Sequence, residues 1–296
     1  MSVSARVTEA LRRRGELFGI NRRNVELVYA NNERHDYPIA DDKLVFKGLM
    51  EGAAIPVPET LCVCEGLFAI APALATLSEQ DQFVVKPANG AGGQGILVVG
   101  ARLERGRWLR AGGAALDSHE LRRHLAHIVF GTYSNELEDR AFVERRVVPH
   151  DVFQALWADG LCDVRIITLR ATPVIAMLRV PTRESEGRAN LHQGGLGIAV
   201  DLDTGRTVRA VQRGRAIQHH PDSGVPLVGV ELPSWAEILD VARRVAGAVP
   251  LGYLGVDIVV DRDRGPLALE INARPGLEIQ NVHGLGLKVA LRRAAP

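Results

Sequence analysis

The sequence predicts an α+β protein built as two lobes. Apolar, β-branched runs come in adjacent pairs joined by short turns, which is the pattern of antiparallel hairpins. Helical patterns fall between those pairs and do not follow every strand, which argues against a doubly wound parallel sheet. A length of 296 residues allows two or three packed lobes without disulfide or metal staples.

Residues 1–40 read as a short N-terminal segment, a basic helix with Arg12, Arg13 and Arg14 followed by the irregular stretch NNERHDYP. Asp41, Asp42 and Lys43 open a helix with Leu44, Val45, Leu49 and Met50 on one side. Gly52, Pro56 and Pro58 stop it. Strand-like runs at 83–87 and 96–99 flank a glycine-rich loop. Asp117 with Glu120 forms a capping box, and Leu121, Leu125, Ile128 and Val129 continue at helical spacing. The strand AFVERRV completes a small lobe over 41–142 and begins a large one over 143–296.

The large lobe opens with two hairpins, one around Ala171, Thr172 and Pro173, the other around Asp203, Thr204 and Gly205. Ser234 and Glu237 predict a second capping box, for a helix carrying Ile238, Leu239, Ala242 and Val245 that Gly247 and Pro250 end. A last hairpin pairs 256–260 with 267–271, and a helix runs to Arg292 and Arg293.

A net charge of +1 gives no electrostatic footprint for nucleic acid or an anionic membrane. Three cysteines, two of them in a C-x-C pair, match neither a closed disulfide framework nor structural zinc spacing. No apolar run reaches the ~18 residues of a membrane span, and the first residues show no signal-peptide core, so a cytoplasmic setting is expected. His124, His127, His219 and His220 have no third ligand at metal spacing and read as solvated side chains.

Three constellations carry chemistry. In KPANGAGGQGI, Lys86 ends a strand and Gly90, Gly92, Gly93 and Gly95 form a loop into the next strand. Glycine permits positive φ and close backbone approach to an oxyanion, so such a loop can wrap polyphosphate, although a plain flexible turn has the same composition. In GVDIVVD and LEINARPG, Glu270 and Asn272 share one face of a strand, and antiparallel pairing brings Asp257 over that face. Three oxygen ligands of this kind suit magnesium; a solvated sheet face is the alternative. RANLHQGG, at 188–195, is a donor-rich turn fit to clamp a phosphate or to lie on the surface.

In order, DDK, VVKPANGAGGQGI, FVERRV, CDVR, RANLHQGG, GVD and LEINARPG resemble the ATP-grasp superfamily, over residues 41–286. Within it the sequence is most similar to the RimK-type glutamate ligase group, the alpha-L-glutamate ligase-like proteins. The resemblance implies two α+β lobes that clasp ATP and a carboxylate–amine ligase working through an acyl-phosphate. It implies ATP and magnesium as cofactors, two ions with manganese as a substitute. Its partners would be an amino acid, glutamate or another, and a carboxylate-bearing acceptor (peptide, protein or metabolite), with a homo-oligomer left open. Lys43 and Lys86 would contact phosphates, and Gly90, Gly92, Gly93, Gln94 and Gly95 would form the loop over them. The backbone of Glu144, Arg145, Arg146 and Val147 would bond the adenine. Asp163, or Asp151 in its place, would hold the ribose. Arg188 and Asn190 would act at the γ-phosphate, and Asp257, Glu270 and Asn272 would bind the metal. Arg274 stands where the RimK type tends to have a small residue, and reads as a substrate carboxylate clamp or as a surface arginine. An ATP-grasp kinase and a silent ATP-binding subunit are the other readings.

Two departures from the family stand out. Only about 40 residues precede Asp41, where a domain of roughly domain-half size is usual. The N-terminal domain is therefore reduced, and another chain is the alternative source of the missing acceptor wall. An insertion, VPHDVFQALWADGL, also precedes CDVR. The polar stretch 19–38, with Asn21, Arg22, Arg23, Asn24, Asn31, Asn32, Arg34 and His35, is expected to fold against the lobes or a second copy and help close the acceptor site.

Overall fold

The computed structural model describes residues 15–90 and 92–294. They divide into a small unit, 41–48 with 57–148, and a large unit, the described part of 1–40 with 49–56 and 149 onward.

The small unit is one antiparallel six-stranded sheet. Its strands are β1 (Thr60–Cys64), β2 (Phe83–Pro87), β3 (Leu97–Glu104), β4 (Arg107–Arg110), β5 (Ala115–Asp117) and β6 (Ala141–Arg145), in the order β1-β6-β2-β3-β4-β5. The helices Ile70–Leu77 and Ser118–Val129 cover one face, and Leu77, Leu121, Leu125 and Ile128 pack there with Phe83, Val85 and Val99. Phe83 meets Trp108 edge-on at 5.6 Å. The Asp117 capping box forms as expected, Glu120 N donating to Asp117 Oδ1 at 2.8 Å. Cys62 and Cys64 alternate along β1, and burial pushes both thiols up, to about 12 and about 11, so neither is a ready nucleophile. All three cysteines are free.

The large unit is a seven-stranded antiparallel sheet. Its strands are β7 (Asp163–Leu169), β8 (Thr172–Val180), β9 (Leu196–Val200), β10 (Thr207–Gln212), β11 (Arg215–Ile217), β12 (Tyr253–Asp261) and β13 (Gly265–Asn272). The order β11-β10-β9-β8-β7-β12-β13 contains all three expected hairpins and one pairing distant in sequence, β7 with β12. The helix Trp235–Ala248 buries Ile238, Val241, Ala242 and Val245, and Glu278–His283 packs by β9. Gly197 permits the second contact, because a Cβ there would stand 2.4 Å from Val282. Among the described residues no helix is long and apolar enough to cross a membrane.

Several expectations are corrected. The Ser234 capping box does not form: Ser234 sits at φ 53° and its side chain makes no cap bond. An N-cap needs extended backbone to aim its oxygen at the first turn. Here the next residue is fixed instead, Trp235 donating to Leu202 O at 2.9 Å and lying against Gly205. The helix Lys43–Gly52 buries Phe46, Lys47 and Met50, while Val45 and Leu49 face solvent. The insertion before CDVR contains its own helix, Asp151–Leu156. His220 is not solvated but 1% exposed, stacked on Trp157 at 4.7 Å and bonded to Pro181 O.

The N-terminal basic helix lies largely outside the described residues. The polar stretch after it is ordered, helical from 20 to 31, with a π turn at Asn24–Val28. It is built into the large unit. Phe18 N donates to Gln280 Oε1 at 2.9 Å, and Gln280 Nε2 returns a bond to Phe18 O. Asn32 Nδ2 donates to Tyr253 O at 2.7 Å and Ala273 O at 3.0 Å, and Tyr253 N donates to Asn32 Oδ1 at 2.8 Å. Leaving buried backbone groups unpaired costs about 1–3 kcal/mol each. Asn32→Ala is therefore expected to lower stability by about 3 kcal/mol in denaturant unfolding followed by circular dichroism. A loss below about 1 kcal/mol would mean that water replaces the amide.

Candidate functional site

In the small unit, β2 pairs with β6 so that Glu144 lies opposite Val84, diagonal to Lys86. The Glu144 carboxylate is 3% exposed and accepts from two lysines: Lys86, and Lys47 at 3.1 Å. Burial alone would push this carboxyl up, but Lys86 and Lys47 outweigh it and hold it below its ordinary value. Lys47 also donates to Pro58 O and lies 5.7 Å from the centre of the Phe142 ring. Sequence reasoning missed Lys47, although it follows Lys43 by one helical turn. Arg145 reaches out to Glu59 at 2.6 Å, Arg146 is half-buried and Val147 buried.

The glycine-rich loop is tied at both ends and open at its tip. Lys43 Nζ donates to Gly90 O at 2.5 Å. At the other end His124 Nε2 bonds Gly95 O at 2.9 Å, so His124 is part of the loop's anchor and not a solvated side chain. Burial lowers the His124 pKa, which favours the neutral ring. Gly95 has φ 72°, and a Cβ there would stand 2.6 Å from the Tyr133 ring. Gly92 and Gly93 also have positive φ, and a Cβ on Gly92 would meet nothing within 4 Å. Such backbone, beside two lysines, is what a polyphosphate needs.

In the large unit, cross-strand register builds a charged face. Arg165 on β7 stands opposite Asp257 on β12, which stands opposite Glu270 on β13. Asn272 lies opposite Gly255 on the same face. A bulge between Asp257 and Ile258 leaves Leu269 without a partner and keeps Glu270 over Asp257. Asp257 is fully buried. It accepts from Arg165 Nε at 2.7 Å and Nη2 at 2.6 Å, from Arg179 Nη2 at 2.8 Å and from Asn272 Nδ2 at 3.3 Å. Burial would raise its carboxyl, yet Arg165 and Arg179 bring it down to about 2.

Asp163 joins the same network, accepting from Arg179 Nε at 2.6 Å. Burial raises its carboxyl to about 6 against the pull of Arg179. Asp163 therefore stands among the arginines of the sheet face. Asp151 is exposed and paired with Arg262 at 2.8 Å. Arg165 and Arg179 are the residues that sequence reasoning missed. Their signal was the CDVR motif, where Arg165 shares a face with Asp163.

The other expected residues are arranged more loosely. Arg188 is exposed, 3.9 Å from Glu186, and lines a cavity of about 220 Å³ with Glu184, Ser185 and Gln193. Asn190 Oδ1 caps the short turn Leu191–Gln193 by accepting from His192 N at 3.0 Å. Among the described residues no hydrogen bond or ion pair joins Arg188 or Asn190 to Asp257, Glu270 or Asn272. Arg274 is exposed and stacks over the Tyr37 ring at 4.9 Å.

Among the described residues no three His, Cys, Asp or Glu side chains gather as a metal cluster. Two carboxylates and the amide oxygen of Asn272 remain a hard-oxygen set of the kind magnesium takes while keeping water or phosphate oxygens. The fit is good at Glu270 and Asn272, both half-buried, and at Asp257 it needs an arginine to give way.

Removing one partner from a buried ion pair costs about 3–5 kcal/mol, because the other charge stays behind. Glu144→Gln removes the carboxylate that Lys47 and Lys86 share. It is expected to lower stability by about 3 kcal/mol in guanidinium unfolding, and stability within about 0.5 kcal/mol of wild type would show that water already neutralises the pair.

Comparison with known proteins gives these parts a family. A family model described as sugar-transfer associated ATP-grasp matches residues 22–295. A probable alpha-L-glutamate ligase of Sodalis glossinidius (strain morsitans) is 32% identical over 116 residues, 39% of this chain and 28% of that protein. One from Xanthomonas oryzae pv. oryzae (strain MAFF 311018) is 30% identical over 119 residues, 40% of this chain and 29% of that protein. The match thus spans less than a third of the length of these curated relatives. Among solved structures, a biotin carboxylase–β-γ-ATP complex from Campylobacter jejuni shares the fold. Its TM-score is 0.52 at 14% identity, covering 86% of this chain and 46% of that one. The expected superfamily stands, and the glutamate-ligase name appears among the relatives. With the family model matching nearly the whole chain, the protein belongs to the sugar-transfer associated ATP-grasp family.

Proposed function

We propose that this chain is an ATP-dependent carboxylate–amine ligase that joins glutamate or another amino acid to a carboxylate acceptor through an acyl-phosphate. The observation that carries the reading is the charged sheet face, where Asp257, Glu270 and Asn272 stand together with Arg165 and Arg179. Family membership and the ligase names of the two curated relatives support it.

Each unit has its own part. In the small unit, Lys43, Lys86 and the amides of Gly92, Gly93, Gln94 and Gly95 bind phosphate oxygens. The backbone of Glu144, Arg145, Arg146 and Val147 takes the adenine. In the large unit, Asp257, Glu270 and Asn272 would hold magnesium, which when bound supplies positive charge to the phosphate oxygens. Asp151 takes the ribose in preference to Asp163, because its carboxylate is accessible.

The reaction needs mainly positioning and charge. A carboxylate oxygen of the acceptor attacks the γ-phosphorus in line, and ADP leaves. Arg165, Arg179 and Arg188 offset charge on the transferred group, each guanidinium presenting fixed N–H donors. The amine then attacks the acyl carbon and loses its proton, and phosphate departs. Arg188 and Asn190 donate to the oxygen that becomes negative at the tetrahedral stage. Closing the glycine loop excludes water that would otherwise hydrolyse the acyl-phosphate.

Glu270 is half-buried at the strand end, and its glutamine variant keeps shape while losing charge. Glu270→Gln is expected to cut ADP release by about 100-fold or more with an unchanged thermal melt. The assay uses a panel of amino acids and carboxylate acceptors, with mass spectrometry of the product. Wild-type turnover in this variant overturns the assignment. A phosphorylated product that forms without amine identifies a phosphotransferase instead, and no turnover in any arm identifies a nucleotide-binding subunit.

A further inference from the structure

The N-terminal helical run holds a buried charge that has no counter-ion among the described residues. Arg23 is 7% exposed. Its Nη1 donates to Pro275 O at 2.6 Å, while its Nε is buried with no hydrogen-bond partner. Among the described residues it makes no ion pair with any carboxylate. A guanidinium stays protonated at any pH the protein meets. Buried charges are normally paired, so this one marks the place of an anion that the described residues do not supply. The π turn Asn24–Val28 begins at the next residue, a widened turn of a kind often found at functional sites.

A second guanidinium adjoins the same stretch. Arg274 immediately precedes Pro275, stacks on Tyr37 of the N-terminal segment, and likewise has no carboxylate partner among the described residues. The place is continuous with the charged face. Tyr253, Gly255 and Asp257 alternate along one side of β12, and Pro275 lies over Gly255, whose Cβ would stand 2.9 Å from it. Burial pushes the Tyr253 phenol up, against the pull of the Arg23 guanidinium. At ~3.3 Å per residue, Tyr253 is about 13 Å along the strand from Asp257.

We propose that Arg23, bonded to the Pro275 carbonyl, and Arg274, the residue before Pro275, form a carboxylate-binding site, and that the acceptor carries a second carboxylate held there while its first is activated. The acceptor class is therefore a polycarboxylate, such as an acidic amino acid or the acidic end of a peptide. The naming of an acceptor rests on the ligase reading; the binding site does not. The N-terminal segment supplies Arg23 and, through the Tyr37 ring, positions Arg274.

The test is calorimetric titration of the full chain with glutarate, its monoamide and inorganic phosphate at constant ionic strength, without ATP or amine. Wild type is expected to bind glutarate saturably and more tightly than the monoamide. Arg23→Gln and Arg274→Gln are each expected to weaken glutarate at least about tenfold, as befits one charge-assisted contact, and Arg23→Lys to restore part of the loss. Should Arg23→Gln fail to fold, the exposed Arg274 still decides. Unchanged affinity in Arg274→Gln, no saturable glutarate binding by wild type, or tighter binding of phosphate than of glutarate would each overturn the site. Because no turnover is measured, these results stand apart from ADP release, whose failure would remove the ligase reading alone.

Discussion

A carboxylate with no access to water, Asp257, sets the terms for the large unit. Ionised at the centre of a sheet, it is tolerable only with cations against both oxygens. Arg165 and Arg179 come from β7 and β8, so β7 must lie beside β12 although some 90 residues separate the paired positions. Alternation does the rest, because a slip by one residue would turn Asp257 into the apolar layer under the helix Trp235–Ala248. That layer is made of Val256, Ile258, Val164 and Ile166, all fully buried on the opposite side. The bulge at Leu269 then re-aims the end of β13, which sets Glu270 and Asn272 over the same charged face.

The small unit applies the same device with the opposite sign. Glu144 answers two lysines, and the formal charges of these three side chains sum to +1. On the large unit's face, Asp163, Asp257 and Glu270 outnumber Arg165 and Arg179, so one negative charge is left over. A residue of positive charge beside glycine backbone favours phosphate oxygens; a residue of negative charge on hard oxygen atoms favours a small cation. Each cluster thus has, by its own charge balance, the sign that the proposed function asks of it.

What could be read from the sequence follows from how local its causes are. The hairpins at β7–β8, β9–β10 and β12–β13 were legible because turn residues and alternation lie within a few positions of each other. The Asp117 capping box was legible for the same reason. Ser234 carries the same motif and fails, because Trp235 is anchored to Leu202, over 30 residues away. Strands β1, β4 and β5 are three to five residues long and take their place from neighbours in the sheet. Arg165 and Arg179 escaped for a stronger reason. Their shared partner, Asp257, lies on a strand brought alongside only by the β7–β12 pairing, more than 70 residues from either one. His124 and His220 read as solvated because charged neighbours surround them in sequence, whereas in space they meet Gly95 O and Trp157.

The N-terminal segment folds into the large unit, as expected, in spite of its low apolar content. A stretch rich in Asn and Arg suggests a solvated tail, since such side chains gain little from burial. These particular side chains do a different job: they complete backbone hydrogen bonding where the sheet ends. Asn32 matches Tyr253 as a paired strand residue would, accepting from its N–H and donating to its carbonyl, and Asn31 O accepts from Gly252 N at 2.9 Å. The same Asn32 amide and the Arg23 guanidinium hold the carbonyls of Ala273 and Pro275. Those residues follow directly on Asn272, so the segment fixes the path of the chain as it leaves the proposed magnesium ligands. The stretch 15–40 is in this sense part of the scaffold of the proposed site, joined to it by buried polar bonds.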